Sequence, residues 1–434
     1  MMRFTAALTL FLLLASTATI ATADIFSYLE IEDGAYKWEL VSQKDLGNGI
    51  TGYGLNLTSQ IWQGITWQHR LNIILPKDVE SPTIALLLIT GGSWTNQDRW
   101  EKEETEYGSL IASAIDAPVA VLHDIPYQPL FDKLKEDDLI SFTFSKYLLT
   151  GDDTWPLLLP MTKGAVKAMN AVQEFAKANL GVEVNGFVVT GASKRGWTTW
   201  FTGVVDKRVK AIAPMVYDNL GLENQMKHQL EAWGKFSEQI KEYTERGLPQ
   251  KLLENNSESD KLVSIVDPFT YVDKITVPKL SIIGTNDRYW PLDALNIYWD
   301  SLVGEKYILY VPNSGHGLED ISRVISDIIC FSLKASGKLR FPKLIWGFDE
   351  SDEAVKLSVS SDIKPETVSA WVAKSPTRDF RDVRWEESSM TLQNGSYFYK
   401  LEKPDNLFVA IFGEAAYLKD GKKFYLSTNV KIFK

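Results

Sequence analysis

Six apolar runs, each closed by glycine, proline or a polar turn, constrain this chain more than any other feature. "TIALLLITGGSW" is apolar over 84–89 and ends on Gly91 and Gly92. "APVAVLHDIP", "GFVVTG", "VKAIAPMVYD", "KLSIIGTNDRYWP" and "KYILYVPNSGHG" follow in order. Uninterrupted runs of this kind suit strands buried on both faces of a parallel sheet. Over 162–180, Val166, Met169, Val172, Phe175 and Ala176 recur at helical spacing. Helices are also expected after Ser193, near residues 293–302, and from the last run to about Lys334. The stretch between the first two runs is long enough for a crossover helix. Strands and helices in alternation predict a mostly parallel α/β sheet.

The flanks read differently. "YKWELVSQ", "TGYGLNLTSQIW" and "WQHRLNIILP", within 36–76, predict an antiparallel start. Residues 219–266 are polar, charged and rich in helix formers, and read as a helical, lid-like insertion. From 341 the texture turns to β-rich segments with turn residues between, read as a β-sandwich over 341–434. With 434 residues, more than one core usually organises, this gives an α/β domain over 24–340 and the sandwich. Residues 1–23 read as a secretory signal peptide: Arg3, an apolar run over 4–14, and Ala21-Thr22-Ala23 before Asp24. No later segment spans a bilayer on its composition, so a secreted protein is expected. A net charge of −10, spread over both signs, argues against a nucleic-acid partner. The single cysteine, Cys330, reads as a core residue. Sequons at Asn56, Asn255 and Asn394 are glycosylation candidates.

The chemistry centres on "VTGASKRGWTTW". Ser193 falls between a strand and a helix, with Gly191, Ala192 and Gly196 as small neighbours. Such a turn lifts a hydroxyl above the sheet at a helix N-terminus. Arg195 stands where the common Gly-x-Ser-x-Gly pattern has its second glycine. A helix N-cap is the plain alternative. A serine nucleophile needs a base, and the base needs an orienting acid. Of His69, His123, His228 and His316, the last sits in a small-residue loop after a late strand. Asp287 follows the strand "LSIIGTN", with Asp293 as fallback and Asp273 behind it. The chain order Ser193, Asp287, His316 is that of α/β-hydrolases. Oxyanion donors are expected from the amide of Lys194 and from Gly92 or Ser93, each worth about 3 kcal/mol in a transition state. Trp94, Tyr127, Trp155, Trp197, Tyr289 and Trp290 are candidate pocket walls. The acidic stretch "EKEETEY" reads as a solvated face, with a carboxylate for a substrate amine as the alternative. No metal or organic cofactor is implied, because neither a His/Cys cluster nor a phosphate loop occurs.

"GASKRGWTTW", "DKRVKAIAPMVYDNL", "GTNDRYW" and "NSGHG" resemble the PhoPQ-activated pathogenicity-related protein family, which includes secreted autocrine proliferation repressors of social amoebae. The resemblance runs from about residue 30 into the C-terminal β-region. It implies an α/β-hydrolase fold, makes Gly196 a family trait, and supports Ser193, Asp287 and His316 as the triad. The repressor members resemble dipeptidyl peptidases, which adds peptide cleavage to ester cleavage as an expected reaction on a small peptide or ester substrate. A secreted signalling protein that binds a cell-surface receptor on the same scaffold is the rival expectation.

Overall fold

A computed structural model of the protein describes residues 24–434 apart from Gln97 and Asn255. The expected signal peptide and the sequon at Asn255 lie outside the described residues.

A short helix α1 (Ile25–Leu29) leads into the strands β1 (Lys37–Gly47), β2 (Ile50–Trp62) and β3 (Ile65–Leu75). These form the antiparallel edge of the large sheet. The apolar runs become β4 (Thr83–Ile89), β5 (Val119–Leu122), β6 (Val184–Ala192), β7 (Val209–Met215), β8 (Lys279–Gly284) and β9 (Lys306–Val311). The order across the sheet is β1-β2-β3-β5-β4-β6-β7-β8-β9, and from β5 onward every pair is parallel. These strands bury both faces, as their continuous apolarity requires. In β6, Phe187 and Val189 enter one core layer and Val188 the opposite one.

The helices α2 (Lys102–Ile115), α3 (Glu136–Thr150), α4 (Leu158–Phe175) and α5 (Lys194–Val205) fill the crossovers up to β7. The helix expected over 162–180 starts earlier, at Leu158, and ends in a π-turn over 176–180. α3 carries no clear helical face in the sequence. Its buried residues, including Leu139, Thr143, Phe144 and Tyr147, share one side of the helix, and the polar Ser141 and Thr143 among them blur the apolar pattern. Between β7 and β8 lie α6 (Leu222–Trp233), α7 (Lys241–Glu245), α8 (Leu248–Leu253) and α9 (Ser257–Val266). The helix expected near 293–302 is instead two 3₁₀ turns, Ala294–Ile297 and Trp299–Ser301. Tertiary contacts hold it irregular: Asp293 pairs with His228 and Arg378, and Asn296 donates to the Val430 carbonyl at 2.8 Å.

After α10 (Ile321–Ala335) the chain is all β. The strands are β10 (Leu344–Glu350), β11 (Ala354–Ser361), β12 (Thr367–Ser375), β13 (Glu386–Ser389), β14 (Thr391–Gln393), β15 (Ser396–Glu402), β16 (Phe408–Lys419), β17 (Lys422–Ser427) and β18 (Lys431–Phe433). They form two antiparallel sheets, β10-β11-β15-β14 and β13-β12-β16-β17, with β18 on β16. This region shares a core layer with α2 and α10, to which Val355, Leu357, Ile411 and Phe424 belong together with Ile111 and Val324.

Candidate active site

The β6–α5 turn is built from its glycines. Ser193 adopts φ 58°, ψ −122°, a strained conformation for a residue with a side chain. Its amide donates to the Met215 carbonyl of β7 at 2.9 Å. A Cβ on Gly191 would lie 2.8 Å from the Arg195 Cβ and 2.9 Å from the Arg195 carbonyl oxygen. A Cβ on Gly196 would lie 2.8 Å from the Met215 carbonyl oxygen and 2.9 Å from the Tyr217 Cβ. The second glycine is therefore needed at 196, where α5 presses on the end of β7, while position 195 has room for a long side chain. Ser193 Oγ makes no hydrogen bond with a described residue, so the plain N-cap reading finds no bond to rest on.

Two loops from the ends of β8 and β9 lie together beyond this turn. Gly284 allows their approach, because a Cβ there would strike the carbonyl oxygens of Ser314 and Gly315. Asn286 N donates to Ser314 O at 2.9 Å, and Asn313 N to Thr285 Oγ1 at 2.9 Å. The result sets His316 Nδ1 2.7 Å from Asp287 Oδ2. The other Asp287 oxygen accepts the Tyr289 amide at 2.9 Å. With Nδ1–H turned to the carboxylate, Nε2 is left as the proton-accepting nitrogen. That Nε2 is buried and finds no partner among the described residues. The Tyr289 ring packs against the imidazole at a centroid distance of 4.2 Å.

Ser193, Lys194 and His316 share the wall of one cavity. α3 contributes Phe144 and Leu148, and α6 to α9 supply most of the remaining wall. Trp197, Tyr289 and Trp290 line it. Trp94, Tyr127 and Trp155 do not, which corrects the expectation for those three. Trp94 and Tyr127 stack on each other at 6.0 Å, and Trp155 packs with Trp62, Phe131 and Phe142. Gly92 and Ser93 also lie outside the cavity wall. Their loop nevertheless starts level with the serine turn, since Ile89 pairs with Gly191. Neither amide has an acceptor among the described residues.

That loop is held by two arginine–carboxylate forks not apparent in the sequence. Arg195 donates to both oxygens of Glu136 at 2.7 and 2.6 Å and to the Ile125 carbonyl at 2.6 Å. Its guanidinium occupies the space that a Cβ on Gly91 would need. Arg70 donates to both oxygens of Asp124 at 3.0 Å, and a Cβ on Gly92 would lie 2.6 Å from Asp124 Oδ1. Gln128 ties the first fork to the loop, donating to the Gly92 carbonyl at 2.8 Å and to Glu136 at 2.6 Å. Paired planar forks fix geometry as well as charge.

The other candidates fall elsewhere. Asp293 serves His228 at 2.7 Å and Arg378 at 2.7 Å, and Asp273 is exposed on a 3₁₀ turn. His69 is buried against Ser59, and burial pulls its pKa down to about 4. His123 is buried between Thr90 and Asn72, likewise at about 4 through burial. Within "EKEETEY", Glu104 is half-buried 3.3 Å from His123, and burial raises its pKa to about 7. It does not line the cavity. Asp218, 3 % exposed at the end of β7, is pushed up to about 8 by burial and then by the charge of Asp287. Cys330 is buried, and burial raises its thiol to about 12. Asn56 and Asn394 are exposed. Among the described residues no cluster of potential metal ligands occurs, and no helix is long and apolar enough to cross a membrane.

Strand order, the strained serine turn after β6 and the His–Asp pair across β8 and β9 define an α/β-hydrolase-fold protein with C-terminal antiparallel sheets. The chain belongs to the PhoPQ-activated pathogenicity-related protein family, whose model matches residues 25–381. It is 34% identical over 449 residues to autocrine proliferation repressor protein A of Dictyostelium discoideum, covering 95% of this chain and 89% of that one. Among solved structures it is similar to acetyl xylan esterase 1 from Thermoanaerobacterium sp., at 16% identity and a TM-score of 0.47 over 72% of this chain and 92% of that one. It is also similar to an S-formylglutathione hydrolase from Agrobacterium tumefaciens, at 14% identity and a TM-score of 0.47 over 69% and 100%.

Proposed function

We propose that the protein is a secreted serine hydrolase acting on a peptide or ester bond. The observation that carries this reading is the His316–Asp287 pair at 2.7 Å, with an unpartnered Nε2 on the same cavity wall as Ser193. Ser193 Oγ attacks the substrate carbonyl while His316 Nε2 takes its proton. Asp287 holds the imidazole tautomer and stabilises the imidazolium. The oxyanion takes hydrogen bonds from the Lys194 amide at the start of α5 and from the amide of Gly92 or Ser93. His316 returns the proton to the leaving group, and water then releases the acyl group by the same steps. A fluorophosphonate probe is expected to label the wild-type serine and not Ser193→Ala, with kcat of the variant down by about 10³-fold or more. Equal labelling of the two proteins would remove Ser193 from this role. Protein recovered from culture medium is expected to begin near Asp24.

The 34% identity to a proliferation repressor favours a second reading, a secreted signal acting through a receptor on the hydrolase scaffold. Full antiproliferative activity from Ser193→Ala would assign the signal to the surface, and loss of it would assign the signal to catalysis.

A further inference from the structure

The cavity behind Ser193 has a composition that restricts what can enter it. Its walls are almost entirely apolar, from Phe144 and Leu148 on one side to Met226, Leu252, Leu262 and Val266 on the other. Among the described residues Asp137 is the one carboxylate on that wall, and it is already engaged. Lys194 Nζ lies 2.6 Å from its Oδ2, the Tyr243 hydroxyl donates to its Oδ1 at 3.0 Å, and the Tyr289 hydroxyl reaches its Oδ2 at 3.4 Å. Lys194 and Asp137 are 12 % and 13 % exposed, so each neutralises the other away from bulk water. The remaining cation, Lys251, is solvent-exposed. Away from the triad, three further polar atoms belong to wall residues: Tyr217 Oη, Asn219 Oδ1 and Ser259 Oγ. All three belong to neutral groups.

A ligand ammonium brought into this space would lose its hydration and meet no free carboxylate, and burying an unpaired charge is strongly unfavourable. A hydrocarbon group would gain from burial. The retained half of the substrate is the half that needs a deep site. It stays bonded to Ser193 while the leaving group departs and water takes its place.

Resting on the hydrolase reading, we infer that this cavity is the acyl site and that it takes an uncharged, predominantly apolar acyl group. A free α-amino terminus is excluded from it. Substrates are then esters or amides of apolar acids, or peptides whose amino terminus is blocked.

4-Nitrophenyl esters of acetic, butyric, hexanoic and octanoic acid vary the acyl part at a constant leaving group. kcat/KM is expected to rise by about fourfold for each methylene that becomes buried. The 4-nitrophenyl esters of leucine and N-acetyl-leucine differ chiefly in charge, and the blocked ester is expected to be the better substrate by at least tenfold. Leu252→Trp, at a half-buried wall position, is expected to lower the octanoyl-to-acetyl ratio. Best turnover of the acetyl ester, or equal turnover of the two leucine esters, would overturn the inference while fluorophosphonate labelling left the hydrolase reading intact. Ser193→Ala supplies a readout without turnover, through the fluorescence of the wall tryptophans Trp197 and Trp290. Saturable quenching by methyl octanoate and none by leucine methyl ester would support the site even if the probe failed to label. The opposite pattern would remove the site whatever the labelling showed.

Discussion

Gly191 and Gly196 decide whether Ser193 can stand where it does. Each faces backbone or Cβ atoms that cannot swing aside. Gly196→Ala is expected to cost about 1–3 kcal/mol through overpacking and to slow probe labelling of Ser193. Urea unfolding measures the first effect and labelling kinetics the second. Asp218 gives a prediction in pH. Its folded-state pKa, raised to about 8 by burial, exceeds that of an unfolded aspartate. Between about pH 4 and 8 the folded protein keeps a proton that the unfolded chain has released. Stability therefore falls with rising pH across that window and levels off above it. Asp218→Asn keeps the shape without the ionisation. Relative to wild type it is expected to gain at least about 1.4 kcal/mol between pH 4 and pH 8. Equal differences in unfolding free energy at the two pH values would contradict this assignment. Sequence reading singled out Ser193, Asp287 and His316 because each follows a strand and the three stand in the chain order of an α/β-hydrolase. It passed over Asp218 because burial, not residue type, makes that carboxyl unusual.

At the scale of elements, the C-terminal β-region braces the loops that carry the triad candidates. Asn286, adjacent to Asp287, donates from Nδ2 to the carbonyls of Phe380, Arg381 and Val383 at 3.2, 3.3 and 2.7 Å. Asn313, three residues before His316, exchanges hydrogen bonds with the Trp385 backbone at 3.2 and 2.8 Å. Arg288 and Arg381 both pair with Glu238, at 2.9 Å each, which ties the helical insertion to the same segment. Asn286→Ala leaves several carbonyls short of a donor and is expected to cost about 1–3 kcal/mol. Through a looser Asp287–His316 pair it is also expected to lower kcat more than it changes KM. Thermal unfolding and steady-state kinetics on one ester test both, and an unchanged kcat would show that the brace serves stability alone. Pairings of this kind join positions 50 to 143 residues apart, so no local pattern announces them. The 3₁₀ turns near 293–302 follow from the same cause.

For the whole molecule, the two regions share their core. Phe412 meets Tyr310 at 5.1 Å, and Tyr310 N donates to Ser427 Oγ at 3.0 Å. Arg323 of α10 pairs with Glu414, and the buried Asp327 accepts the Tyr425 amide at 3.0 Å. We therefore propose that residues 24–340 and 341–434, though distinct in texture, unfold together. Calorimetry of the full chain is expected to show one transition whose van't Hoff and calorimetric enthalpies agree. A chain ending at residue 340 is expected to be insoluble, since the aromatic face of β9 and α10 would be left in water. Two resolved transitions, or a soluble folded fragment, would count against this.

By itself the sequence determined the alternation of strand and helix, the parallel sheet, the β-rich C-terminal part and the neighbourhood of the serine turn. Those depend on apolar periodicity and turn chemistry, which act over a few residues. Only the tertiary structure decided which aromatics reach the cavity, that Asp137 is neutralised by Lys194, and that two arginine forks hold the Gly91–Gly92 loop. Each of these depends on which side chains meet across distant elements and on how far burial strips them of water.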